Sequence, residues 1–222
     1  MDAPLIFTCE APPVDRREII RYMRARELTE ELSSMLDDCL REAEKGMRYA
    51  VCWREIPVSA EGARVDLSFA EVESAALAER LAGCRKAVLF AATVGLELDR
   101  LIARYSRLEP VKALMFQAIG AERVEALCDA FCADVKRRAA EERLCPRPRF
   151  SPGYGDVPLE LQRDIFRVLD CPRKIGLTLN ASLLMTPSKS VTAVIGLGNN
   201  QIQPEKEKCS ACNKVDCAYR NL

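Results

Sequence analysis

Apolar residues recur every three or four positions across residues 111–142, at Val111, Leu114, Met115, Ala118, Val124, Leu127, Phe131 and Val135. That period lays an apolar stripe along one long helix. Gly120 interrupts it, as either a close-packing point or a kink. Residues 15–24 carry a shorter helical pattern through Ile19, Ile20 and Met23. Thr29 then reads as the N-cap of a helix with Leu32, Met35, Leu36, Cys39 and Leu40 on one side, ended by Lys45-Gly46. Residues 71–81 (closing at Cys84), 97–105 and 159–169 also read as helices, the last with Pro158 near its first turn. The period falls to two in residues 63–69, where Val65, Leu67 and Phe69 alternate with polar neighbours. That segment is predicted to pair with residues 47–58 as a hairpin across Ala60-Glu61-Gly62. Residues 86–94 are apolar throughout, as a strand covered on both faces should be. Residues 191–197 give a further strand, and 178–185 a short element. Residues 1–13, with Pro4, Pro12 and Pro13, read as irregular. Together these predict an α+β fold, a mostly antiparallel central sheet with helices packed around it, over residues 1–200. A polar linker at 203–208 then leads into a cysteine-bearing C-terminal extension, 201–222.

Composition narrows the chemistry. The 222 residues are 49% hydrophobic, enough for a sizeable core, and 33 basic residues balance 33 acidic ones. A zero net charge argues against a general nucleic-acid binder. The one basic cluster, Lys136-Arg137-Arg138, reads as a solvated helix face. No apolar run reaches the roughly 20 residues that cross a bilayer, and the N-terminus lacks the basic start of a secretory signal. A cytoplasmic protein is expected. Eleven cysteines are then expected as thiols or metal ligands rather than a disulfide framework. The chain has no histidine, so imidazole-based catalysis and histidine-ligated zinc are excluded.

Between the long helix and the next one lies Arg149-Phe150-Ser151-Pro152-Gly153-Tyr154. Pro152-Gly153 is a turn signal, because glycine accepts the positive φ that follows proline. An amino-acid ligand carries a carboxylate and an ammonium. Arg149 supplies a fork for the first. Glu125, expected close to the buried face of the long helix, supplies an anion for the second. Tyr154 offers a ring or hydroxyl to a sulfonium or an aromatic base. The competing reading makes Arg149 a local ion pair and Tyr154 a core residue. Gly196-Leu197-Gly198-Asn199-Asn200 lacks the third glycine of a phosphate loop and reads as a turn. Trp53, Cys128 and Cys132 read as core.

Beyond the turn come Pro158-Leu159-Glu160-Leu161-Gln162, Gly176-Leu177-Thr178-Leu179 and Leu184-Met185-Thr186-Pro187-Ser188-Lys189-Ser190-Val191. In that order the chain resembles the activation domain of cobalamin-dependent methionine synthase, in the form bacteria encode as a separate short chain. The resemblance is strongest over 149–198. It implies S-adenosylmethionine binding at Arg149, Ser151 (through its main chain), Tyr154 and Glu125. The family's N-terminal aspartate has no counterpart placed here, and Asp15 is left outside the site. Where the family commonly has Thr-Glu-Ser, this chain has Asn180-Ala181-Ser182, which removes a carboxylate. The implied function is reductive remethylation of cob(II)alamin held by the cobalamin-binding domain of methionine synthase or a related corrinoid protein. An electron donor such as flavodoxin or ferredoxin is implied as well.

Cys209, Cys212 and Cys217 form a C-x₂-C-x₄-C tail. Such spacing can place three thiolates on one metal, an iron–sulfur cluster ahead of zinc, with Cys171, Cys145 or Cys9 as a fourth ligand or one iron left open. Reduced thiols or a labile disulfide are the alternative. Two rival functions remain: an iron–sulfur electron-transfer activator of corrinoid proteins that does not use S-adenosylmethionine, and a non-catalytic docking subunit.

Overall fold

The computed structural model describes residues 3–199. In chain order the elements begin β1 (Leu5–Phe7), α1 (Arg16–Tyr22), α2 (Glu30–Glu44), β2 (Ala50–Pro57), β3 (Ser59–Glu61), β4 (Arg64–Asp66) and β5 (Glu71–Glu73). They continue with α3 (Ala75–Leu81), β6 (Cys84–Thr93), α4 (Glu97–Leu108), α5 (Pro110–Glu141) and β7 (Cys145–Pro146). The last are α6 (Leu161–Leu169), α7 (Cys171–Ile175), β8 (Thr178–Leu179), β9 (Met185–Thr186) and β10 (Ser190–Gly198). The fold is α+β, and the five-stranded sheet has the order β1-β2-β6-β10-β7 with every pairing antiparallel.

β6 explains its own apolar run. Val88, Phe90 and Ala92 face a core shared with α1, α2, α4 and α5. Ala87, Leu89 and Ala91 face a second core formed with α3, α6 and the small β3-β4-β5 sheet. A strand buried on both faces needs apolar residues at every position. Phe131 of α5 is the hub of the first core, with its ring 4.9 Å from Phe90, 5.3 Å from Phe7 and 6.1 Å from Trp53.

α5 also carries a buried ion pair. Arg123 and Glu122 are both buried, and the Arg123 guanidinium donates to Glu122 and to the carbonyls of Pro12 and Pro13. Glu122 Oε1 accepts from the Asp15 amide at 3.1 Å. A buried charge must find a full set of partners, and here those partners are the backbone of the N-terminal segment. The proline-rich stretch is thereby fastened to the middle of α5.

The structure corrects several expectations. Residues 5–7 form an edge strand, because the open edge of β2 offers backbone hydrogen bonds to the segment between the prolines. Residues 64–66 pair with β3 and β5 in a separate sheet, not with β2. Glu71–Glu73 is a strand; the helix begins after Ser74, whose side chain accepts from the Leu77 amide. Three residues are too few to show a period. Cys84 opens β6 rather than closing a helix. Residues 178–185 divide between β8 and β9 of a two-stranded hairpin. The basic cluster is not wholly solvated, because the Arg138 guanidinium lies 3.9 Å over the half-buried Trp53 ring.

Two glycine-bearing stretches find their reasons. At Gly120 an added Cβ would sit 2.7 Å from Lys189 Cγ, so this is a packing point. Gly196 and Gly198 are strand residues, not a turn. A Cβ on Gly196 would approach Leu81 Cδ2 to 2.8 Å and Cys84 Sγ to 2.9 Å. Gly196→Ala should therefore lower the unfolding free energy by about 1–3 kcal/mol. Chemical denaturation reads this directly, and an unchanged midpoint would refute the tight fit.

Candidate functional site

The turn after β7 is held at both ends. Phe150 exchanges backbone hydrogen bonds with Val194 of β10 at 2.9 and 2.8 Å. Gly153 then takes φ +84°, the positive value the Pro152-Gly153 pair predicts. Its amide donates to the Val157 carbonyl at 3.0 Å, and the Tyr154 amide donates to the Ser151 carbonyl at 3.3 Å. The Asp156 carboxylate completes the anchorage. It accepts from Ser74 Oγ, from the Ala75 amide at 2.8 Å and from the Ala76 amide at 3.3 Å, all at the start of α3.

Arg149 reaches from this turn to α5. Its Nη2 donates to Glu125 and its Nη1 to Asp129 at 2.6 Å. Burial works against its charge, but the two carboxylates outweigh that and hold its pKa above the ordinary arginine value. Glu125 and Asp129 stand four residues apart, one above the other on the same helical face. Glu125 is half-exposed rather than tucked toward the core as expected, because α5 turns that face toward the cleft and not toward the sheet. Cys128 is buried and Cys132 half-buried behind it. Burial raises both thiols above their usual range.

A cleft of about 440 Å³ lies between this charged wall and β10, in the size range of small-molecule sites. Glu125, Arg149, Phe150, Ser151 and Tyr154 line it from α5 and the turn. Gln162, Met185, Ser190 and Thr192 line it from α6, β9 and β10. The four predicted ligand-binding residues Glu125, Arg149, Ser151 and Tyr154 are thus brought to one place. Tyr154 is 69% exposed at the mouth, so it does not fill core. The Ser151 carbonyl is engaged in closing the turn. Tyr154 and Glu125 also border a second cleft with Tyr22, Lys189 and Val191. Glu125 borders a third, with Asp15, Glu18, Tyr22 and Asp129. Asp15 is close by, yet its carboxylate caps α1 by accepting from the Arg17 and Glu18 amides. Burial first, and then the Glu125 carboxylate, raise the Tyr22 phenol above its ordinary range.

Asp129 and Thr192 escaped the sequence reading, and Gln162 entered it only within the Pro158–Gln162 stretch, without a role in the site. For Asp129 a signal existed, its i+4 spacing from Glu125; the other two belong to elements distant in the chain. Asn180, at the point of departure from the family pattern, uses its side chain locally: Oδ1 accepts from the Leu184 amide at 2.9 Å, closing the β8–β9 loop.

A model of the vitamin B12 dependent methionine synthase activation domain matches residues 74–203, more than half of the chain. The chain belongs to that family. Among solved structures it is similar to a crystal structure of the MetH reactivation domain bound to AdoHcy, at 17% identity and a TM-score of 0.59. The match covers 78% of this chain and 66% of that one, and at this identity it shows the fold alone. No curated protein matches.

Cys209, Cys212 and Cys217 lie outside the described residues. Among the described residues no group of three or more cysteine, aspartate or glutamate side chains is arranged to hold a metal ion. Of the fourth-ligand candidates, Cys171 is buried with its sulfur 3.9 Å from Cys52, while Cys145 and Cys9 are half-buried. No described helix is long and apolar enough to cross a membrane.

The hydrogen bonds to Asp156 make an acid-stability prediction. The Ser74 hydroxyl, the largest influence, and the Ala75 and Ala76 amides lower its pKa below the usual aspartate value. A depressed carboxylate stabilises the fold above its unfolded pKa, and that contribution is lost as pH falls through the folded value. Asp156→Asn should therefore melt below wild type at neutral pH. The gap should narrow from about pH 4 downward. Thermal melts across that range check it, and a gap independent of pH would refute the role of the charge.

Proposed function

We propose that this chain binds S-adenosylmethionine in the cleft beside Arg149 and supports reductive remethylation of cob(II)alamin held by a partner's cobalamin-binding domain. The observation that carries the reading is Arg149, held by Glu125 and Asp129, on a cleft that it lines together with Glu125, Phe150, Ser151 and Tyr154. A zwitterionic amino-acid group suits such a cluster without upsetting its charge balance. Its carboxylate takes the Arg149 fork and its ammonium takes Glu125, so both charges of the Arg149–Glu125 pair keep an opposite-charge partner. Asp129, 73% exposed at its side chain, is the partner most easily released to water. The pairing in the free protein keeps the guanidinium charged and aimed before a ligand arrives, which reduces the ordering that binding requires. Tyr154, exposed at the cleft, would lie against the sulfonium.

Bound S-adenosylmethionine would supply the methyl group, and the partner's corrinoid with an external one-electron donor would supply the redox chemistry that accepts it, leaving S-adenosylhomocysteine. This chain's residues bind, orient and shield. The partner is the cobalamin-binding domain of methionine synthase or a related corrinoid protein, with flavodoxin or ferredoxin as the class of electron donor, in the cytoplasm. The protein then acts as the activation component of a methyltransferase.

Calorimetric titration with S-adenosylmethionine tests the reading. Arg149→Ala should weaken binding about tenfold or more, the loss expected for a charged hydrogen-bonded pair. Equal affinity in both proteins would overturn the role of the arginine. The rival, an iron–sulfur electron carrier that makes no use of the methyl donor, rests on Cys209, Cys212 and Cys217. Anaerobic reconstitution followed by electronic absorption spectroscopy separates the two. Ligand binding that survives replacement of all three cysteines by serine is expected, and cluster formation without ligand binding would favour the rival.

A further inference from the structure

Among the described residues, two buried polar atoms in the cleft lack partners. Gln162, second residue of α6, is 6% exposed, and Thr192 of β10 is 2% exposed. Both line the cleft, and among the described residues neither Gln162 Oε1 nor Thr192 Oγ1 has a hydrogen-bond partner. Ser190, two residues earlier on the same strand, shows the usual arrangement: its hydroxyl donates to Thr93 Oγ1 and lies 2.8 Å from the Pro187 carbonyl. Leaving a buried polar group unpaired destabilises a fold, and well-packed interiors seldom contain one. Here two from distant parts of the chain meet at one cavity.

The cleft is divided in character. Arg149 and Glu125 make one wall charged. Phe150, Met185 and Val191 are apolar, and Gln162 and Thr192 supply the neutral polar groups between them. We infer that Gln162 and Thr192 are specificity-determining residues that hydrogen-bond the neutral nucleoside portion of the ligand, through its base edge or its ribose hydroxyls. A carboxamide oxygen accepts, and a threonine hydroxyl both donates and accepts, so the pair complements an amine or hydroxyl and discriminates against ligands lacking one. This assignment rests on the reading that the cleft binds an adenosyl ligand.

The experiment uses the full chain, titrated with S-adenosylhomocysteine, S-inosylhomocysteine and the 2′- and 3′-deoxyadenosyl analogues. Gln162→Leu and Thr192→Val keep the volume and remove the polar atom; Gln162→Met is the second choice should leucine pack badly. Each variant should bind S-adenosylhomocysteine about tenfold more weakly than wild type. Each should also lose wild type's preference for the parent over one analogue class. Loss against the inosyl compound assigns the base edge, and loss against the deoxy compounds assigns the ribose. Without ligand, the variants should melt at or above the wild-type temperature, because an unpaired polar atom has been removed. Wild-type binding with unchanged affinity and preference in the variants overturns this inference alone. Lower ligand-free stability with ligand preference intact assigns the pair to packing and likewise overturns it. If wild type itself binds no adenosyl ligand, the reading of the cleft fails and this inference with it.

Discussion

A guanidinium drawn largely out of water has to be answered by negative charge, and Arg149 is answered by two carboxylates from a helix about twenty residues earlier in the chain. That requirement ties the turn at 150–155 to α5. It also sets how far the turn stands from the helix, and so the width of the cleft. The same bonds keep the fork aimed at the space beside it. Isolated exposed ion pairs contribute little to stability. This cluster is half-buried and shared between two acids, so its main consequence is geometric.

α5 is the common wall of everything described. One side carries Phe131 and the first core, where strands from both ends of the chain converge. Another side carries the buried Glu122–Arg123 pair, which holds the N-terminal segment by its backbone. The third presents Glu125 to the cleft, with Asp129 one turn further on as the second partner of Arg149. Three successive duties fit on one helix because its period distributes neighbouring residues around the axis. The Glu122–Arg123 pair and Glu125 are close in sequence yet serve different surfaces.

The cleft itself is assembled from α5, the turn, α6, β9 and β10, and its chemistry is graded from charged to neutral. A ligand with a charged amino-acid end and a neutral nucleoside body matches that gradient. No histidine is present, and none of the proposed steps asks the protein to move a proton.

Much of this was decided locally. The long helix, the doubly covered strand β6, the caps at Thr29 and Asp15 and the positive φ of Gly153 are consequences of periodicity and backbone preference over a few residues. Arg149, Ser151, Tyr154 and Glu125 could be singled out because residue type and motif are visible in one dimension. Short strands could not be seen: Leu5–Phe7 and Glu71–Glu73 exist because a neighbouring strand offers hydrogen bonds, and three residues carry no period of their own. Nor could the pairing of Arg149 with Asp129, the half-exposed setting of Glu125, or the meeting of Gln162 with Thr192. Each depends on where separate elements come to rest against one another, which packing across the sheet determines and local preference does not.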